Sequence, residues 1–210
     1  MSLISNAASH GEQFLAQMPD MIHHSAPPSA VRQRRLRVAV DLVEGGHHPA
    51  FGHECSHTYP DVASGSVTPG DERTERFRAL DLQLATAAYC RRLDEAEYES
   101  ARRPAALLDV EILIAPTARA ARLALRELEL ATPSSPTTLR YVGTPAGLAC
   151  LAADIRAAGV ADGVTLLPLA NAGTVELLAE VTVPALHRAG LVGSDAASSL
   201  VAAMDGIAAA

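Results

Sequence analysis

The chain has 210 residues, a net charge of −7, and 49% apolar residues with only 3% aromatics and no Trp. That length fits one domain whose core is built from Ala, Leu and Val rather than from large rings. The acidic balance excludes broad nucleic-acid binding, where a basic surface supplies most of the attraction, and no apolar run reaches the roughly 20 residues of a membrane-spanning helix.

Residues 1–34 read as an appendage: a short helix is possible early on, but Pro27 and Pro28 end any regular structure. No basic segment followed by an apolar stretch opens the chain, so the expectation is a cytoplasmic protein without a secretory signal. Arg32, Arg34, Arg35 and Arg37 form a short basic run that leads into the first strand. There Leu36, Val38, Val40 and Leu42 alternate with Arg37, Ala39, Asp41 and Val43, the period of two expected for a strand. Gly45 and Gly46 end it, and residues 47–69, rich in Gly, Pro, Ser and His, read as an irregular loop.

A helix is expected over 71–102, with Phe77, Leu80, Leu84, Ala87, Ala88 and Leu93 on its apolar side and Arg91, Arg92, Asp94 and Glu95 on the wet side. Three strand–helix units follow, with strands at 108–114, 139–142 and 163–169. The first helix starts at Pro116 and Thr117. Thr144 caps the second, with Pro145 in its first turn and Gly159 at its end. The third helix, 174–188, should be kinked by Pro184 and is ended by Gly190. A tail covers 193–210. Alternation of strands with helices predicts an α/β fold with parallel pairing and four clear strands.

Cys55, Cys90 and Cys150 are odd in number and widely spaced, which argues against a disulfide framework. Cys90 and Cys150 sit in apolar helical patterns and read as small core residues. The densest polar cluster is His47, His48, His53, Cys55 and His57, but its spacings match no standard metal pattern, so no metal site is assigned. Gly143-Thr144-Pro145 could present amides to a phosphate, or could simply be a capped helix entrance.

The stretches YVGTPAGLACLAADIRAAGVADGVTLLP and ELLAEVTVPALHRAGLV resemble the C-terminal portion of the luciferase-like flavin-dependent monooxygenases, in the branch with nitrilotriacetate- and sulfone-oxidising enzymes. The carrying motifs are Gly143-Thr144-Pro145, Ala161-Asp162-Gly163, Val183-Pro184-Ala185-Leu186 and Gly190-Leu191. LRVAVDLVEGGHHPAFGHE is similar to the family's first barrel strand and its following loop. The resemblance implies a (β/α) TIM-type barrel, here incomplete, since a full one takes roughly 250 residues. The segment expected to contact the flavin phosphate has no counterpart, and Phe51-Gly52-His53 replaces the family's aromatic and Arg.

What the resemblance implies for function is FMN as cofactor, a small organic substrate, a flavin reductase as supplier, and His47 and His48 at the mouth of the first strand in catalytic roles. Gly143 and Thr144 would contact the cofactor. The competing expectation is a non-catalytic member of the family that binds a partner, as a homo-oligomer or in complex with a longer relative.

Overall fold

The computed structural model describes residues 36–43, 45–51, 56–59 (backbone only), 74–99, 104–194 and 198. The expected appendage 1–34 and most of the expected tail lie outside them, as do His53 and Cys55.

Among these residues, six strands form one sheet: β1 (Arg37–Val43), β2 (Ser56–Tyr59), β3 (Thr74–Phe77), β4 (Ala105–Ile114), β5 (Leu139–Gly143) and β6 (Gly163–Pro168). Its helices are α1 (Leu82–Glu99), α2 (Ala118–Ala131), α3 (Pro145–Ala157), α4 (Thr174–Leu177) and α5 (Val183–Arg188). The order is β2-β1-β6-β4-β3, and every pair except β1–β2 is parallel. β4 is long enough to take two partners along one edge: β3 pairs with its first half and β5 with its second. The sheet curls into a half-barrel, an incomplete barrel of the TIM type.

The four expected strands are all present, and two more join them. β3 begins where a helix was expected, and β2 lies inside the expected loop. Asp81 explains the later helix start: its carboxylate accepts the Leu84 amide at 2.8 Å, a cap that places the first turn after Phe77. The rotation of α1 also differs from expectation. Ala85 and Tyr89 are its buried residues, whereas Leu80, Leu84 and Leu93 are exposed. The Tyr89 hydroxyl donates to Asp162 at 2.8 Å, which fixes the inward side. Arg92, expected on the wet side, lies 4.8 Å over the Phe77 ring. Cys90 and Cys150 are exposed rather than buried, because each is one residue off its helix's buried stripe.

Strand order dictates which face each helix covers. The connections β3–α1–β4 and β5–α3–β6 cross the sheet in one direction, and β4–α2–β5 crosses in the other. Right-handed crossovers then put α1 and α3 on one face and α2 on the opposite one. The packing agrees. Val38, Val40, Leu108, Val110, Ile112, Val164 and Leu166 form the main core with Tyr89 of α1 and Leu148 and Ile155 of α3. Ala121 of α2 is buried outside that core, as are Ala39, Leu107, Leu113 and Leu167 of the other sheet face. Helices ring the outside of a TIM-type barrel, so the second face, opposite α1 and α3, corresponds to the inner one, although α2 lies on it.

Local chemistry sets the element ends. The hydroxyls of Thr117 and Thr144 cap α2 and α3 through the amides of Ala120 and Gly147. Pro184, expected to kink the last helix, lies in a helical stretch that runs on from 174 to 188 but changes its hydrogen bonding, because the ring displaces the carbonyl at i−4 and there is no amide proton. The chain answers with a wide turn over Leu178–Thr182, where the Val183 amide reaches back to Leu178. At the bottom of the sheet, a Cβ on Gly163 would stand 2.2 Å from the Arg37 carbonyl, so only glycine lets β6 meet β1 there.

Candidate functional site

The C-terminal ends of β1 and β6 are joined by backbone hydrogen bonds that continue past the strands. The amides of His47 and His48 donate to the carbonyls of Pro168 and Leu169 at 2.7 and 3.0 Å, and the Asn171 amide donates to Gly45 at 3.0 Å. The Asn171 side-chain amide caps Val43 at 2.7 Å. Gly46 makes this possible: its φ is +131°, and a Cβ would fall 2.4 Å from the Leu169 carbonyl. The turn fixes where the two histidines stand.

Their environments differ. His48 is fully buried, with Nδ1 accepting the Ala50 amide at 3.2 Å and Nε2 lying 3.1 Å from the Ser134 hydroxyl. An acceptor at Nδ1 leaves the proton of the neutral ring on Nε2, so His48 donates to Ser134. Burial holds its pKa below the ordinary 6.5, and the positive charge of Arg140 adds to the effect. His47 is 17% exposed at its side chain, and its Nε2 donates to the Asp41 carbonyl at 2.8 Å. Its Nδ1 is then left as an acceptor.

The inner face below carries four buried polar side chains: Asp41, Asp109, Glu111 and Thr165. Arg76 reaches in from β3, donating to both Asp109 oxygens at 2.8 and 3.1 Å and to Asp41 at 2.6 Å. Burial alone would lower the pKa of Arg76, but these hydrogen bonds to Asp109 and Asp41 raise it. Arg78 adds a longer contact to Asp109 at 3.4 Å. On β5, Arg140 donates to Glu111 at 2.7 Å and to Glu129 of α2 at 2.9 Å. The segment before β5 arches over this face: Thr137 donates from its amide and hydroxyl to Glu111, and Ser134 meets His48. Among the described residues, two buried side-chain oxygens stand without partners, Oγ1 of Thr165 and Oδ1 of Asn171.

Gly143 and Thr144 lie at the end of β5, where the Gly143 carbonyl accepts the Ala115 amide. The first turn of α3 is satisfied from within. Thr144 accepts the Gly147 and Leu148 amides, and Pro145 has no amide proton. Tyr141 donates to the Thr144 carbonyl at 3.0 Å, and its hydroxyl covers Gly147, where a Cβ would stand only 2.1 Å away. Sequence reasoning missed Arg76, Asp109, Glu111, Ser134 and Asn171. Asp109 and Glu111 left a signal, as acids alternating within the otherwise apolar run 107–114.

No family model matches the sequence, and no curated protein matches it. Solved structures do match. EDTA monooxygenase (EmoA) from Chelativorans sp. BNC1 aligns over 61% of this chain and 46% of its own, at 13% identity and a TM-score of 0.50. DmoA from Hyphomicrobium sulfonivorans aligns over 68% and 45%, at 13% identity and a TM-score of 0.51. The chain spans less than half the length of either. Both are luciferase-like flavin monooxygenases, and what this chain shares with them is part of their barrel fold.

Proposed function

We propose that this chain is a monooxygenase-type protein of the flavin-dependent class, with FMN as the flavin and a small organic molecule as the substrate. The observation that carries this reading is the fold: a half-barrel of the luciferase-like kind whose strand ends gather two histidines and Asn171 at one mouth. In such barrels chemistry sits at the C-terminal ends of the strands.

His47 suits the role of proton acceptor at that mouth. Its Nε2 is tied to the Asp41 carbonyl, its Nδ1 carries a free lone pair, and solvent reaches it. Asn171 holds the same turn from the β6 side, and its buried Oδ1 has no partner among the described residues. His48 is different. Both its nitrogens are used, so its part in this reading is to hold the segment 132–137 across the inner face.

The described residues do not fit the flavin phosphate at Gly143 and Thr144. The Thr144 hydroxyl and carbonyl already take the amides of Gly147 and Leu148, and the Tyr141 hydroxyl fills the space above them. Ala146 is left as the only amide of that turn to offer an anion, whereas a phosphate site gathers several. No step is therefore drawn through the flavin. On this reading its phosphate is held by other groups, and a second copy or a longer relative completes the wall. A flavin reductase supplies the reduced cofactor in the cytoplasm.

The test is a titration of purified chain with FMN, followed by flavin fluorescence. Quenching that saturates near one flavin per chain supports the proposal. Unchanged fluorescence and a colourless protein that elutes as a dimer would return the non-catalytic, partner-binding role.

A further inference from the structure

We propose that a cleft between α2 and the open edge of β5 binds a small amphipathic anion, with its carboxylate or phosphate head on Arg122 and Arg126 and its aliphatic body on Leu125, Leu130 and Val142. These residues and Glu129 line one concavity. β5 pairs with β4 on one side and has no strand partner on the other among the described residues, so the cleft is open there.

The charge pattern selects the ligand's sign. Arg122 and Arg126 are exposed and stand one helical turn apart, with Cβ atoms about 6 Å from each other. Two like charges at that spacing repel, and neither guanidinium has an ion-pair partner among the described residues. Arg119, three residues before Arg122, extends the same positive flank. The one carboxylate lining the cleft, Glu129, is taken by Arg140 at 2.9 Å. A cleft with two unneutralised guanidiniums attracts an anion in a chain whose net charge is −7.

The lining also selects the body. Its three apolar members are Leu125, Leu130 and Val142, and none is aromatic. They suit a short alkyl chain better than a stacked ring. Leu130, 73% exposed, gains the most from being covered. The inference uses only α2 and β5 and stands whether or not the chain takes up a flavin.

The experiment is calorimetric titration of the full chain with octanoate, octyl phosphate and octan-1-ol, repeated at high salt and with the variant Arg122→Gln/Arg126→Gln. Both arginines are exposed, so the variant should keep its fold, and circular dichroism checks that. Saturable binding of either anion, weakened roughly tenfold or more in the variant and reduced by salt, supports the site. Octanoate alone would identify a carboxylate head, and octyl phosphate alone a phosphate head. Absence of saturable binding by both anions, equal binding by the variant, or octanol binding as tightly as the anions would overturn it.

Discussion

The Ser134 hydroxyl meets Nε2 of His48 at 3.1 Å across 86 residues of sequence, tying the segment before β5 to the turn after β1 over the inner face of the half-barrel. The Ala50 amide on Nδ1 determines the direction of that bond. A second proton on the ring would have to sit on Nδ1, facing the Ala50 amide. The contact therefore requires a neutral imidazole.

Stability should follow from this. The folded chain keeps His48 neutral, while the unfolded chain takes up a proton near the ordinary 6.5. The contribution is complete above that pH and is lost as pH falls towards the lowered folded-state value. Thermal unfolding at a series of pH values should show the wild type losing stability on acidification, with a shallower loss in His48→Gln. At neutral pH, His48→Ala should cost about 1–3 kcal/mol, since it leaves Ser134 and Ala50 without their partner.

Arg76 holds two buried carboxylates, Asp41 and Asp109, that come from different strands. Removing the cation takes the shortest ion pair from each. Arg76→Met should destabilise the chain by about 3–5 kcal/mol in urea unfolding. Adding Asp41→Asn and Asp109→Asn to that variant should restore part of the loss, because the uncompensated charge is then gone. A triple variant no more stable than Arg76→Met would show that packing, not charge, sets the cost.

Thr165 is fully buried on β6, and its hydroxyl has no partner among the described residues. A desolvated hydroxyl without a bond is a liability, so Thr165→Val should be neutral or stabilising by up to about 1 kcal/mol. A loss of that size instead would mean that the hydroxyl has a partner, such as an internal water.

The Thr144 hydroxyl caps α3 through the Gly147 amide at 3.2 Å. Thr144→Ala should cost about 1 kcal/mol of stability. If this turn also held a phosphate, the same variant would weaken FMN uptake. The self-satisfied geometry of the turn leads us to expect no change in uptake beyond that caused by lost stability.

The elements that were legible in the sequence are those whose signals are local. β4 and β6 are runs of Val, Leu and Ile, and the caps Thr117 and Thr144 announce α2 and α3 at their first turns. β3 was not legible, because the four residues TERF are too few and too polar to separate a period of two from one of 3.6. The face taken by α2 depends on strand order, which no local pattern encodes. The same holds for the site. His47 and His48 stand out as a cluster, but the burial of one and the openness of the other follow from where the Gly45-Gly46 turn meets Leu169. Arg76 becomes important only once residues 41, 76 and 109 are brought together.

The functional reading rests on the sheet, and cross-strand nuclear Overhauser effects test the sheet most directly. Val164 of β6 pairs with Val38 of β1 on one side and Leu108 of β4 on the other. Backbone contacts from the Val164 region to both strands, in the parallel pattern, are the expected result. Contacts that join β6 to β5 instead, or an antiparallel pattern between β6 and β1, would contradict the half-barrel described above.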